Sequence, residues 1–390
     1  MIERVGIVGG SVAGLSLALE LQRRGIAARV YERSAGLLAH QGAGLMLARP
    51  IVERLGLAGA RSVRRRLSLG PAGQVLWRQA VEKHAVGWSE VIGALRAKVE
   101  GIGLYEQCSV SAVGADPPRV HTARFGTETF DLVVGADGIG SVVRAAVDPG
   151  FEACYLGYVA VRGLIARRQL PSALPAVIDS LFDDAMAKVL LGGAHVTLYG
   201  LPGGDEPLNW MWYLNLPSGD LPGLLTDAQG IAHRWSLPAG TLPAATEARL
   251  RAMADERLPD WLAALVDSTE TLFLQPVYAG FAQQMVAPGL VLVGDAAHLA
   301  VPHVGGGVTL ALQDTLALAE AVAQTGAGLE ERLSRWEAAR LRANTPRLEF
   351  AVRLGLSLQS KGKDWTGWGA ADFERWWSHI LEDAPDDASR

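Results

Sequence analysis

A short apolar run, Val5 to Val8, breaks into Gly9-Gly10-Ser11-Val12-Ala13-Gly14, and no other stretch narrows the choice of folds as much. Apolar residues at helical spacing follow from Leu15 to Leu21, and Gly25 stops them. Ala28 to Tyr31 returns to strand character, and Glu32 ends it. Strand, glycine-rich turn, helix and strand make a βαβ unit. The turn fits GxGxxG with Ser11 in the place of the second glycine. Gly9 permits the tight turn, a small residue at Ser11 lets the backbone approach a pyrophosphate, and Gly14 lets helix and strand pack closely. The helix start at Val12 and Ala13 offers free N–H groups and a positive dipole end to phosphate.

Glu32 follows the turn at about the 20-residue distance at which an acid can accept hydrogen bonds from ribose hydroxyls. The same carboxylate would repel a 2′-phosphate, so an adenosine without one is favoured. Arg33, next in the chain, joins the expected cofactor contacts. The plainer alternative is a glycine-rich turn in an unrelated α/β protein. The strand before, the helix after and the acid beyond favour a dinucleotide.

At 390 residues the chain is long enough for two joined domains. Two more apolar runs end in small-residue turns: Leu132 to Val134 before Gly135-Ala136-Asp137-Gly138, and Leu290 to Val293 before Gly294-Asp295. Strands of one sheet are therefore expected from three distant parts of the chain. Between them, Tyr155 to Ile165, Val189 to Leu191, His195 to Leu201 and Asn209 to Leu216 are rich in β-formers and separated by Gly/Pro turns. They predict a mostly antiparallel second sheet. Helical patterns return at Ala245 to Glu256 and Pro259 to Asp267, then run from Gly307 almost to the end, with Pro346 expected to kink or interrupt them. The polar tail, Glu382 to Arg390, reads as disordered.

Composition matters mainly for what it excludes. A net charge of −5 argues against a nucleic-acid partner, and Arg64-Arg65-Arg66 is too short for a polyanion track. That triplet reads as a solvated loop or helix face. Cys108 and Cys154 form no CxxC pair, so neither a disulfide framework nor a metal site is expected and a cytoplasmic location fits. No apolar run is long enough for a membrane span, and the first strand begins too early for a signal peptide. Eleven tryptophans are compatible with a homodimer interface without predicting one.

Three motifs in order frame the chain. Asp137-Gly138-Ile139-Gly140-Ser141-Val142-Val143-Arg144 resembles the DGxxSxxR motif of the FAD-dependent flavoprotein aromatic hydroxylases. Gly294-Asp295-Ala296-Ala297-His298 resembles their GDAAH motif, and Pro302, Gly305, Gly307 and Asp314 follow at the family's spacing. Gly9-Gly10-Ser11, Tyr155-Leu156-Gly157-Tyr158, Arg162-Gly163, Trp212-Tyr213 and Pro302-His303 are similar to segments of members that act on hydroxypyridines. The chain departs from the family at Gly306 and Thr309, where Gln and Asn are usual, and at Trp88 or Ser89, where many members carry an FAD-contacting Arg.

The resemblance implies an α/β fold: a Rossmann-type, GR2-like FAD-binding domain with an inserted antiparallel-sheet substrate domain and C-terminal helices. The expected division is 1–75, 91–154 and 276–330 for the FAD-binding domain, 76–90 and 155–275 for the substrate domain, and 331–390 for the C-terminal helices. It also implies FAD-dependent hydroxylation of an aromatic or N-heteroaromatic, hydroxypyridine-like ring, with NADH or NADPH as transient co-substrate and O2 activated as a flavin C4a-hydroperoxide. Only one dinucleotide turn is present, as in family members that bind the nicotinamide cofactor transiently. Asp295 can hold a ribityl hydroxyl. Gly305, Gly307, Val308 and Thr309, at a helix start, can face the flavin ring and stabilise negative charge on it. Gly44 and Leu45, in Gly42-Ala43-Gly44-Leu45, sit where the family has a loop beside the flavin, and Asp137 belongs to its FAD region.

For Asp137 and Asp295 the simpler role is capping a turn. Arg144 is read equally as a solvated helix residue or a functional one. Substrate contacts are expected from Arg162, Tyr199, Trp212 and Tyr213 in a pocket between the flavin and the middle sheet. Core packing is as good a reading for each aromatic. Alternation puts Asn209, Met211, Tyr213 and Asn215 on one strand face and Leu208, Trp210, Trp212 and Leu214 on the other, without saying which lines a pocket. His303 is the candidate base, since an imidazole near pKa 6.5 suits proton transfer with a phenolic ring; a histidine bonded to backbone is the alternative. His298 is expected to orient backbone. A flavin-dependent reductase or halogenase on the same fold remains open, although Trp210-Met211-Trp212-Tyr213 lacks the Ile-Pro of the related halogenases.

Overall fold

The computed structural model describes residues 2–34, 44–99, 101–237 and 240–382. Met1–Ala39, Ser89–Cys154 and Tyr278–Ala351 form one compact unit; His40–Trp88, Tyr155–Val277 and Val352–Arg390 form the other.

The first unit is built on a six-stranded sheet. Its order is Val286–Ala287, Leu290–Leu292, Leu132–Gly135, Arg4–Val8, Ala27–Tyr31 and Gly103–Tyr105. All neighbours pair in parallel except the first two. The three apolar runs of the sequence are thus adjacent strands. Ile7, Val30, Val133 and Val291 are fully buried, as continuous apolar strands of a covered parallel sheet should be. The helix Val12–Gln22 packs against Gly306–Ala323, where the Ser16 and Thr315 hydroxyls meet at 3.0 Å. A small antiparallel sheet, Val110–Ala115, Pro118–Thr122 and Gly126–Thr129, adds strands that the apolar pattern does not announce.

The second unit carries a larger sheet in the order Cys154–Ile165, Leu208–Asn215, Ala194–Gly200, Ala185–Leu191, Arg61–Leu69, Val75–Gly87 and Gly44–Leu47, with Phe273–Phe281 beside the first. It is mostly antiparallel, but Ala185–Leu191 runs parallel to Arg61–Leu69. The helices Ala244–Arg257 and Asp260–Asp267 are tied together by Arg251, which donates to the Val266 carbonyl at 2.6 Å and the Thr269 carbonyl at 2.8 Å. Trp210 donates its indole N–H to Thr269 Oγ1 at 2.9 Å, so the Trp210 face of the sheet is the one these helices cover. The C-terminal helix Ala370–Leu381 stacks Phe373 on Trp77, ring centres 5.5 Å apart.

Two local expectations change. Arg64-Arg65-Arg66 lies in a strand, not a loop or helix. A register shift between Val63 and Arg65 breaks the alternation, so Arg64 and Arg65 are both exposed, Arg65 pairing with Asp184, while Arg66 is half-buried. Of the kink or interruption expected at Pro346, the interruption does not occur: the helix runs unbroken over Leu329–Leu358. The missing N–H removes one rung, and the neighbouring rungs on both sides remain. The tail from residue 383 lies outside the described residues, and no described helix is long and apolar enough to cross a membrane.

Candidate functional site

The parallel sheet brings the three glycine-containing turns together at the carboxyl ends of adjacent strands, where open α/β sheets bind their ligands. Each turn fits only because its glycines lack a Cβ. Gly9 has φ +105, and a Cβ there would lie 2.2 Å from the Ala136 carbonyl oxygen. A Cβ on Gly14 would lie 1.9 Å from the Gly9 oxygen. Gly294, at φ +59, sits against the Cβ atoms of Ala13 and Ala311. Substitution would force the turns apart.

Ser11 is the N-cap of the first helix, and its hydroxyl makes no capping bond. Val12 and Ala13 form a first turn without an acid, so its N–H groups and dipole remain suited to an anion. Gly10 N–H donates to Glu32 Oε2 at 2.7 Å, and Ser34 N–H to Oε1 at 2.8 Å. Glu32 is buried and locks the turn to the end of the second strand, leaving each oxygen one lone pair for a ribose. Arg33 is exposed beside it.

Asp137 caps its own turn: it accepts the Ser141 hydroxyl at 2.5 Å and the Val142 N–H at 2.7 Å. Burial pushes its carboxyl up, and these bonds oppose the shift. Arg144, read from the sequence as solvated or functional, is buried. Its guanidinium donates to the carbonyls of Ile139 and Ala296, the latter at 3.1 Å, and lies 4.1 Å over the Phe151 ring. It joins the second motif to the third. Asp295 has a solvent-exposed side chain yet dense protein around it. Desolvation pushes its carboxyl up to about 6, and the Arg144 charge opposes this.

Gly305, at φ +63, is the N-cap of the Gly306–Ala323 helix. Gly307 lies with its Cβ position 3.9 Å from Asp295 Oδ1, so that carboxylate and the helix start stand side by side. Val308 and Thr309 are half-buried in an acid-free first turn. His303 is buried in the short turn Pro302–Val304 just before. A cofactor's anionic or hydroxyl-rich parts would find donors at both helix starts and an acceptor at Asp295.

Beneath this loop lies a network not foreseen from the sequence. Asp314, 0% exposed, accepts from Arg340 Nε at 2.7 Å, Asn344 Nδ2 at 2.9 Å and Gly294 N–H at 3.3 Å. Arg340 also donates to Asn344 Oδ1 at 2.7 Å, which fixes the amide's orientation. Asn344 Nδ2 therefore donates to His298 Nε2 at 3.0 Å. Burial holds the His298 pKa down, so the ring is neutral with its proton on Nδ1. Asp314 and His298 belong to the motifs read from the sequence; their partners Arg340 and Asn344 are marked there only as polar residues of a helix.

In the second unit, strand register places Arg162, Tyr199 and Tyr213 on one face of the sheet and Trp212 on the other, with Trp210. Arg162 donates to Gln275 at 2.9 Å. Burial pushes the Tyr199 hydroxyl pKa up, and that of Tyr213 up to about 12. Gly44 N–H donates to Asn209 Oδ1 at 3.0 Å, and a Cβ on Gly44 would lie 2.6 Å from the Tyr199 ring; Leu45 follows in the same strand. Gly42 and Ala43 lie outside the described residues.

Comparison with known proteins points the same way along nearly the whole chain. A family model described as FAD binding domain matches residues 245–351, and one described as FAD binding domain-like matches residues 155–278. The chain is 28% identical over 385 residues to 2,6-dihydroxypyridine 3-monooxygenase of Paenarthrobacter nicotinovorans, covering 92% of each chain. It is 24% identical to 6-hydroxynicotinate 3-monooxygenase of Bordetella bronchiseptica, covering 83% of each. The solved structure of 2,6-dihydroxypyridine-3-hydroxylase from Arthrobacter nicotinovorans superposes with a TM-score of 0.83 at 25% identity, over 95% of this chain and 97% of that one. The α/β fold with its second sheet and C-terminal helices is therefore that of a solved aromatic hydroxylase.

Proposed function

Because the chain belongs to the FAD-binding monooxygenase family, we propose that it hydroxylates a hydroxypyridine-like N-heteroaromatic ring with O2 and NADH or NADPH. The observation that carries the reading is the meeting of the three turns at Gly9, Asp137 and Asp295, in a chain similar end to end to enzymes named for hydroxylating such rings.

The residues fit FAD. The acid-free helix starts at Val12 and Gly306 suit its pyrophosphate and the electron-rich edge of its ring. Glu32 binds the ribose, and Asp295 a ribityl hydroxyl. Bound and reduced by the nicotinamide cofactor, FAD supplies the activation of O2, of which one oxygen atom enters the ring and the other leaves as water. The protein holds the ring, excludes water and manages the proton of the ring hydroxyl. His303 takes that proton, and Arg162, Tyr199 and Tyr213 contact the ring. A cytoplasmic setting supplies the NADH or NADPH.

The test is aerobic NADH and NADPH oxidation with and without 2,6-dihydroxypyridine or 6-hydroxynicotinate. Stimulation by a ring, with a product heavier by one oxygen, is expected. A yellow protein that ignores every hydroxypyridine would overturn the substrate reading.

A further inference from the structure

A cavity in the first unit is left unused by the reading above. Its volume is about 450 Å³, and Gln107, Cys108, Ser109, Ala123 and Arg124 line it. That volume lies within the range of small-ligand sites. Backbone bonds tie one wall of it to the expected ribose acceptor. Glu32 N–H donates to the Tyr105 carbonyl at 2.8 Å, Cys108 N–H to the Glu32 carbonyl at 2.8 Å, and Gln107 N–H to the Ser34 carbonyl at 3.2 Å. A ribose held by Glu32 thus stands beside the cavity, with its base in reach of it. Gln107 has φ +52, a left-handed conformation that is uncommon outside glycine, and such outliers cluster at ligand sites.

The other wall is the turn between the strands Pro118–Thr122 and Gly126–Thr129. It carries Arg124, which is exposed and lies 4.9 Å over the Phe125 ring and 5.9 Å over that of Tyr105. These rings form an aromatic wall: Tyr105 packs on Phe125 at 4.8 Å and on Tyr31 at 5.9 Å. Among the described residues Arg124 makes no hydrogen bond or ion pair, and the side chains of Gln107 and Ser109 make no hydrogen bond. No acid is among the five lining residues. A guanidinium resting on aromatic rings is a flat cation, suited to stack on a flat π-system. The Gln107 amide and the Ser109 hydroxyl can both donate and accept at the edge of such a ring. Adenine has that face and that edge.

We propose that Arg124 stacks on the adenine of FAD in this cavity and so selects the dinucleotide over flavins that lack adenine. The proposal rests on the FAD reading and adds to it a residue outside all three glycine turns. The aromatic backing and the otherwise neutral lining favour a ring over a phosphate, the other group that an arginine takes.

The test is fluorescence titration of the flavin-free protein with FAD, FMN and riboflavin. Arg124→Ala should weaken FAD binding by about tenfold, the scale of a partly desolvated cation–π contact, and leave FMN and riboflavin unchanged. Arg124→Lys, a cation without the flat face, should keep part of the preference. AMP should compete with FAD for the wild type far better than ribose 5-phosphate, and Arg124→Ala should remove that advantage. Unchanged FMN binding also reports that the variant is folded. FAD affinity equal to wild type in Arg124→Ala would overturn the proposal, as would equal competition by AMP and ribose 5-phosphate. So would a parallel loss of FAD and FMN, which would assign Arg124 to a phosphate, since FMN carries one and no adenine. A wild-type protein that takes up neither flavin would sink the FAD reading and the proposal with it, whereas normal FAD uptake without an effect at Arg124 counts against the proposal alone.

Discussion

The carboxylate of Glu32 accepts the backbone N–H of Gly10 at 2.7 Å, so the acid at the end of one strand holds the glycine turn at the end of its neighbour. One side chain thereby shapes the turn and presents a remaining lone pair to a ribose. Glu32→Gln removes the charge and leaves one acceptor oxygen where two carboxylate oxygens each take a backbone N–H, so one of the bonds to Gly10 or Ser34 is lost as well. It should weaken FAD binding by about tenfold, near the 1.5–3 kcal/mol of a charge-assisted hydrogen bond. Flavin fluorescence titration checks this, and unchanged affinity would remove Glu32 from the site.

Gly9→Ala combines a positive φ with a Cβ placed 2.2 Å from a carbonyl oxygen. A destabilisation of about 3 kcal/mol is expected, with loss of FAD uptake. Urea unfolding and the flavin absorbance of the purified variant report the two effects separately.

Asp295 has its pKa raised to about 6, above the unfolded value near 3.9. The folded state therefore prefers the protonated acid. Its stabilising contribution is fully present below about pH 4 and is lost as pH rises through 6. In FAD-free protein, Asp295→Asn should be more stable than wild type at pH 7 by about 1 kcal/mol, a figure discounted for the solvent exposure of the side chain. The difference should vanish near pH 4, while FAD affinity falls in the variant. Melting curves from pH 4 to 8 with and without FAD decide this.

Asp314→Asn leaves Arg340 without its buried counter-charge, and a loss of about 3–5 kcal/mol is expected. Chemical denaturation measures it. A loss below 1 kcal/mol would show that the network does not hold the Gly294–His298 loop.

His303→Ala should lower kcat by about 100-fold, the low end for a lost general base, with FAD affinity little changed. The pH profile of kcat/KM should lose the limb that ionisation of the base gives. A profile identical to wild type would exclude His303 as the base.

The turns were legible because their requirements are local. Gly9, Gly14 and Gly294 must be glycine for reasons that act within a few ångströms of backbone, and the strands beside them are short apolar runs. Arg144 was not legible, since its acceptor at Ala296 lies far along the chain and nothing near it in sequence marks it as buried. The Asp314–Arg340–Asn344 network depends on the packing of two helices, which periodicity alone cannot pair. Alternation divided Leu208–Asn215 correctly into two faces, but only the strand register assigned Trp212 to one and Arg162 to the other.

Reaction under oxygen-18 gas, with the purified protein, FAD, NADH or NADPH and a hydroxypyridine, tests the central claim most directly. One labelled oxygen atom in the ring product is predicted, with nicotinamide oxidation and hydroxylation in equal amounts. A product whose new oxygen comes from water, or nicotinamide oxidation that yields only hydrogen peroxide whatever ring is offered, would contradict it.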